Sequence, residues 1–353
     1  MKPNRRRCSS LIDPTLKRPV TTARLSSVLW MTTADAKSLS IALPGARAFP
    51  ESITSTRDGT LFIGRLGEGG IVRANPRTGE AALFVAPGVA GSRSITGVFA
   101  DEASGTLWAC SNDLSALGGP SGSGDRGGAV KGFDLRTGAP KRSIPLPGPQ
   151  AFCNDIALDA HGAVYITDSA APNVLRLPAR GATFEVFASS PQFLPPKAGS
   201  AGLDGIAFGG DGNLYVTTYT AGGLFRIDVD GGRAGCVTKL QGAPLTLPDG
   251  LRPLGQRSFL LIEGAGSLDR VDIEGDAFKA APIRGGFRTP PAARASTRGE
   301  TARPNWRVWD SLACRCPLKV TPGKPSGRVG ERSRSWKSNR KRTGIRRGHP
   351  KER

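Results

Sequence analysis

A segment that recurs five times limits what this chain can fold into more than any other feature. FPESITSTRDGTLFIG from Phe49, FCNDIALDAHGAVYIT from Phe152 and GLDGIAFGGDGNLYVT from Gly202 follow one plan. A polar residue is followed by an apolar one, then a turn ending in Gly, then a β-rich run. The apolar residues Ile53, Ile156 and Ile206 precede the turn glycines Gly59, Gly162 and Gly212 by the same six residues. A fourth copy from Ser94 carries one inserted residue before Gly105. A fifth from Leu247 has Arg257 where the glycine is due.

Most copies continue into a second hairpin, as in GGLFRIDVDGGRAGCVTKL. Each copy therefore reads as four short strands over about 45 to 60 residues, the spacing of propeller blades. Asp-Gly, Thr-Gly and Gly-Gly turns supply the positive φ of tight hairpins. Val, Ile, Leu, Phe, Tyr and Thr fill the strands, and Gly interrupts every apolar run before a helix could form. The reading is an all-β, six-bladed-type β-propeller with about five recognisable blades over residues 45–287. An extended or disordered segment precedes it over 1–44, and a basic, low-order tail follows over 288–353. The long irregular stretch SNDLSALGGPSGSGDRGGAVKG reads as a surface loop near one mouth.

The net charge of +20 belongs to the two ends. Residues 1–30 and 284–353 hold most of the excess Arg and Lys, and the middle sits near −2. No stretch is long and apolar enough for a membrane helix, so no membrane partner is expected. No apolar run follows Arg5, Arg6 and Arg7, which argues against a secretory signal and favours the cytoplasm. Residues 1–30 read as an upstream extension ahead of Met31, or as an Arg-rich transit segment. The middle holds only Cys110, Cys153 and Cys236, an odd and irregular set that argues against a disulfide framework and fits a reducing compartment. Cys314 and Cys316 lack a second pair for zinc.

The sixth copy is due near residue 288, and the text there turns into Arg, Pro, Ala and Gly without strand alternation. Two readings stand: a basic arm for nucleic acid or another anionic surface, or a shift of reading frame near Thr289. The abrupt change where a blade is due favours the shift and argues against a nucleic-acid partner except through the tail. Without a sixth blade, two flanks are expected to be exposed and the chain to be less stable than a complete relative.

Aligning the copies on the apolar residue places Glu51, Thr96, Asn154, Asp204 and Asp249 in register. Each opens an innermost strand, and those strands line the channel, so the five form a ring. Three carboxylates and an amide facing one another repel unless a cation sits between them. An all-oxygen set suits a hard ion: Ca²⁺ is the expected one, with Mg²⁺, Mn²⁺ or a solvent-rich Zn²⁺ site also compatible. Turn capping is the plain alternative, and Asp58, Asp159 and Asp211 are assigned to it. His161, the one histidine of the middle, sits in a turn, which argues against Ser-His-Asp chemistry.

Over about residues 45–285 the repeat resembles the SMP-30/gluconolactonase/LRE-like family of six-bladed propellers. The resemblance rests on Glu51 in PES, Asn154 in CND, Asp204 in LDG and Asp249 in PDG. Asp204 replaces the family's Asn, Ser52 stands where the family has Gly, and Phe152 stands where sugar-lactone hydrolases of the family often have Arg. The resemblance implies metal-assisted hydrolysis of a small-molecule lactone or ester less polar than a sugar lactone. Glu51, Asn154, Asp204 and Asp249 would be the metal ligands, Asp249 also the general base, and Asp155 a residue orienting Asn154. The alternative is a non-catalytic binding propeller similar to NHL-repeat scaffolds.

Overall fold

The turn glycines behave as the hairpins require. Gly59, Gly105, Gly162 and Gly212 hold φ of 88°, 63°, 81° and 80°, a region a Cβ-bearing residue enters only at a cost. The computed structural model describes residues 39–120, 127–264, 266–283 and 318–322, all within one unit bounded by Met1 and Gly323.

Among the described residues, twenty strands form five antiparallel four-stranded blades, each ordered as in sequence. A first strand, β1 (Leu39–Leu43), precedes them. Blade one is β2 (Pro50–Ser55), β3 (Leu61–Arg65), β4 (Ile71–Ala74) and β5 (Ala81–Val85). Blade two is β6 (Ser94–Asp101), β7 (Thr106–Asn112), β8 (Ala129–Asp134) and β9 (Pro140–Pro145). Blade three is β10 (Cys153–Leu158), β11 (Val164–Asp168), β12 (Asn173–Leu177) and β13 (Glu185–Ser189). Blade four is β14 (Leu203–Phe208), β15 (Leu214–Thr218), β16 (Gly223–Asp230) and β17 (Arg233–Lys239). Blade five is β18 (Pro248–Pro253), β19 (Ser258–Glu263), β20 (Ser267–Glu274) and β21 (Ala277–Pro282). Last comes β22 (Leu318–Pro322).

The first strands β2, β6, β10, β14 and β18 neighbour one another in succession. The second strands are almost wholly buried and the fourth mostly exposed, so each blade runs from axis to rim. The apolar core is a set of layers between blades. Val98 and Leu107 meet Phe62 and Ile71 between blades one and two. Cys110 and Val130 meet Ile156 and Ile166 between two and three. Tyr165 and Val174 meet Ile206 and Val216 between three and four. Tyr215 meets Phe259 and Leu261 between four and five.

Three features differ from the sequence reading. First, Cys110 and Cys153 form a disulfide across 43 residues, with Cα atoms 5.2 Å apart. The bond joins the second strand of blade two to the first strand of blade three, so it staples neighbouring blades rather than forming a small disulfide framework, and the argument for a reducing compartment loses its basis. Second, the tail contributes a strand: β22 pairs in parallel with β1, Leu39 opposite Leu318 and Leu43 opposite Pro322. A lone strand outside a hairpin carries no turn glycine, so the repeat cannot reveal it. Third, blade one's flank is covered. Ile41 and Leu43 of β1 are buried with Ile53, Ile63 and Val72, and Ile262 of blade five joins the same cluster. The proposed frame shift at Thr289 and the basic segments that flank β22 lie outside the described residues.

Candidate functional site

Every innermost strand carries the same irregularity. In β2, Pro50 pairs with Arg65 and Ile53 with Ile63, so three steps on one strand face two on the next. The same offset falls between Ile95 and Val98, Cys153 and Ile156, Leu203 and Ile206, and Pro248 and Leu251. Each is a β-bulge, which leaves two residues outside the ladder and re-aims their side chains. The first of the two is Glu51, Thr96, Asn154, Asp204 or Asp249, the five positions aligned from the repeat. The second is Ser52, Gly97, Asp155, Gly205 or Gly250.

The bulges bring adjacent inner strands close together. A Cβ on Gly97 would lie 2.5 Å from the Asn154 carbonyl oxygen, and one on Gly205 2.4 Å from that of Asp249. Ser52 and Asp155 keep side chains at this position and use them on the next strand. Val98 N–H donates to Ser52 Oγ at 3.2 Å, and Ile206 N–H to Asp155 Oδ2 at 3.4 Å.

Glu51, Asn154, Asp204 and Asp249 line one tight cavity of about 10 Å³, together with Asp155 and Arg252. Asn154, Asp204 and Asp249 are buried, and Glu51 is partly exposed. Thr96 does not line it. Its hydroxyl donates to the Cys153 carbonyl at 2.7 Å and accepts from Asn112 Nδ2 at 3.0 Å. Asn154 Nδ2 donates to Ser169 Oγ at 2.9 Å and to Asp204 Oδ2 at 3.2 Å. Phe152 is also absent from the lining.

The backbone beside the site is strained at two places. Phe49 and Leu247 adopt φ of 43° and 52°, each followed by a proline and then by Glu51 or Asp249. A bulky residue at positive φ costs on the order of 1–3 kcal/mol, and such strain concentrates at functional sites.

Burial raises the Glu51 carboxyl well above the usual range, with repulsion from Asp249 and Asp155 adding to it and Arg252 opposing it. Asp204 is likewise raised well above its ordinary value by burial, then by Asp249, Glu51 and Asp155. Asp249 is pushed up to about 7, again mainly by burial. These buried carboxyls crowd the site with more negative charge than Arg252 neutralises. Burial, then Asp249 and Asp204, also raise the Tyr219 phenol.

The donor set suits a hard divalent cation in chemistry: all oxygen, with three carboxylates and one amide in a shared cavity. Among the described residues, no three His, Cys, Asp or Glu side chains form a ready metal-ligating group. Binding an ion therefore requires the side chains to draw closer together than they stand.

Solved structures share this fold at low identity. A gluconolactonase from Xanthomonas campestris superposes with a TM-score of 0.52 at 18% identity, over 70% of this chain and 78% of its own. The Malassezia sympodialis allergen Mala s 1 gives 0.54 at 17%, over 67% and 79%. A catalytically inactive virginiamycin B lyase from Staphylococcus aureus, solved with quinupristin, gives 0.50 at 17%, over 68% and 72%. No protein-family profile and no curated protein matches the chain. What these likenesses establish is the propeller fold.

Sequence reasoning missed Arg252. Its Nη2 donates to Asp155 Oδ1 at 2.9 Å and to Ser52 Oγ at 3.2 Å, and its Nη1 binds the other Asp155 oxygen. Asp155 therefore pairs with Arg252 and makes no hydrogen bond to Asn154, contrary to the orienting role expected of it. The signal was in the repeat: three residues after the aligned polar position stand Thr54, Phe99, Ala157 and Ala207, and then Arg252.

Proposed function

We propose that this chain is a divalent-metal-dependent hydrolase of a lactone or related ester. The observation that carries the reading is the shared cavity of Glu51, Asn154, Asp204 and Asp249, each delivered by an equivalent bulge on a different blade. The resemblance to the SMP-30/gluconolactonase/LRE-like family and a gluconolactonase among the fold's solved examples support it. These four residues would hold the ion, with Ca²⁺ the expected one.

A bound divalent cation supplies polarisation of the substrate carbonyl and acidification of a water molecule. Asp249 takes the proton from the attacking water at a carboxylate oxygen. Asn154, held by Ser169, orients the Asp204 carboxylate through its Nδ2. The cavity lining has no Arg to engage sugar hydroxyls apart from Arg252, which is occupied by Asp155 and Ser52. That favours a less polar lactone or ester over a polyhydroxylated one.

The test is hydrolysis of a lactone and ester panel with and without a chelator. Chelation should abolish turnover and added Ca²⁺ restore it. Asp249→Asn should lower kcat by roughly 10²–10⁴-fold. Turnover that persists in chelator sinks the metal mechanism. A second reading, a non-catalytic binding propeller, is favoured by the lack of a ready ligating group among the described residues. Absence of turnover across the panel, with a tight partner recovered, would support it.

A further inference from the structure

Arg252 projects from β18 of blade five, on the side that faces blade one. Its side chain is only 16% exposed, and that of its partner Asp155, on β10 of blade three, is 5% exposed. The contact is two-pronged: each guanidinium nitrogen of the fork meets a different oxygen of one carboxylate. The same Nη2 reaches Ser52 Oγ on β2, and Nη1 donates back to the Leu251 carbonyl at 2.8 Å. One side chain thus ties blades five, three and one together at the axis.

The cavity holds four carboxylates, those of Glu51, Asp155, Asp204 and Asp249, and Arg252 is the cationic side chain in its lining. Geometry decides which carboxylate the cation serves. Asp155 receives both prongs. Glu51 and Asp249 feel Arg252 only through space, and Asp204 receives no bond from it. A planar guanidinium locked on one carboxylate cannot be displaced toward the others without leaving a buried charge unpaired.

We propose that Arg252 is a built-in counter-cation that neutralises Asp155, so that the negative charge of Glu51, Asp204 and Asp249 is reserved for one divalent ion. This rests on the metal-dependent reading above and extends it to a residue outside the ligand set. Arg252 is a positioning residue: it fixes how much charge the ion meets and does not touch the ion.

The test is calcium chloride titration by calorimetry, with thermal melts in chelator, on the full chain. Arg252→Gln leaves Asp155 as an extra unpaired carboxylate, so Ca²⁺ affinity should rise about tenfold or more while the metal-free Tm falls by about 10 °C. Asp155→Asn leaves the guanidinium unpaired beside the ion, so affinity should fall about tenfold or more and Tm should fall as well. The double variant should return affinity to within a few-fold of the parent and recover much of the Tm. Arg252→Lys keeps the charge and loses the fork: affinity near the parent, Tm lower.

Opposite shifts in affinity alongside same-sign shifts in Tm are the signature that a purely structural clasp would not produce. If Arg252→Gln fails to fold, Arg252→Lys beside Asp155→Asn still separates charge from structure: both should lower Tm, but only Asp155→Asn should lower affinity. Parent protein that binds Ca²⁺ while both single variants move affinity in the same direction, or not at all, overturns the counter-cation and leaves the metal reading standing. Parent protein that binds no Ca²⁺, Mg²⁺, Mn²⁺ or Zn²⁺ removes both.

Discussion

Blade two and blade four open with the same bulge and use it differently. The residue opposite the bulge on the second strand faces the next blade in both. In blade four it is Thr217, whose Oγ1 accepts from Gly205 N–H at 2.8 Å and donates to the Asp249 carbonyl at 3.1 Å. In blade two it is Cys110, bonded covalently to Cys153 of blade three. Around that disulfide the first bulge residue, Thr96, also donates to the Cys153 carbonyl. Asn112 donates to the same oxygen at 2.7 Å and accepts from Cys153 N–H at 3.0 Å. Thr96, Cys110 and Asn112 thus all hold blade two to blade three. Blade three follows the pattern of blade four: Thr167 accepts from Asp155 N–H at 3.2 Å and donates to the Asp204 carbonyl. In blades three and four the first bulge side chains, Asn154 and Asp204, meet each other at the cavity, 3.2 Å apart. In blade two the bulge hydroxyl is spent on a backbone carbonyl, and Thr96 does not line the cavity.

The largest effect expected from this contrast is at blade four. Asp204→Ala should weaken Ca²⁺ binding and turnover by at least about a hundredfold, since even residues behind a ligand cost ten- to a hundredfold. The metal-free protein should become more stable, because a buried, repelled carboxylate is gone. The same repulsion gives a pH signature. Asp249 is pushed up to about 7 from an ordinary 3.8, so the folded chain keeps a proton that the unfolded chain has already released. The sign follows: in chelator, stability should be highest at acid pH and decline as pH rises from about 4 to about 7. Saturating Ca²⁺ should flatten that decline. Denaturant melts across this range check it, and a metal-free stability that rises with pH would show that the carboxylates are not crowded as described.

The next effect belongs to blade two. Cys110→Ala removes a bond that closes a loop of 43 residues and should cost about 2–4 kcal/mol. Cys110→Thr installs at that register the residue found in blades three and four. It should recover about 1 kcal/mol of that loss if a hydroxyl can make the tie there. Urea melts of the two variants compare covalent and hydrogen-bonded ties at one position. Equal stabilities would mean that the register equivalence does not extend to energetics.

The blades and the ring were legible in sequence because both follow the repeat. A turn glycine six residues after an apolar position sets the hairpin, and the polar residue two before that position is the first of each bulge. What the repeat does not encode was not legible. Arg252 is an exception within its own column, and only its partner Asp155, 97 residues away, explains it. Thr96 lies in the same column as Asp204, and its hydroxyl turns away because Asn112 and the Cys153 carbonyl lie beside it. The Cys110–Cys153 bond joins two columns of neighbouring blades, so it is invisible within one copy. β22 pairs with β1 in parallel, without the hairpin whose turn would announce it.

The smallest effect is the sharpest check on the comparison. Thr96→Val removes a hydroxyl that donates at 2.7 Å to a carbonyl which keeps a second donor, Asn112, also at 2.7 Å. The Cys153 oxygen is not orphaned, so the cost should be about 1 kcal/mol rather than the larger penalty of a bare buried acceptor. Asn112 Nδ2 loses an acceptor but keeps that carbonyl, which holds the effect small. Ca²⁺ affinity and kcat should stay within about twofold of the parent, because the side chain lies outside the cavity lining. Calorimetry on this variant beside Asp204→Ala measures the same repeat position in two blades. A fall in affinity comparable to that of the blade-four change would mean that Thr96 turns inward to the ion, and that blade two belongs to the ring after all.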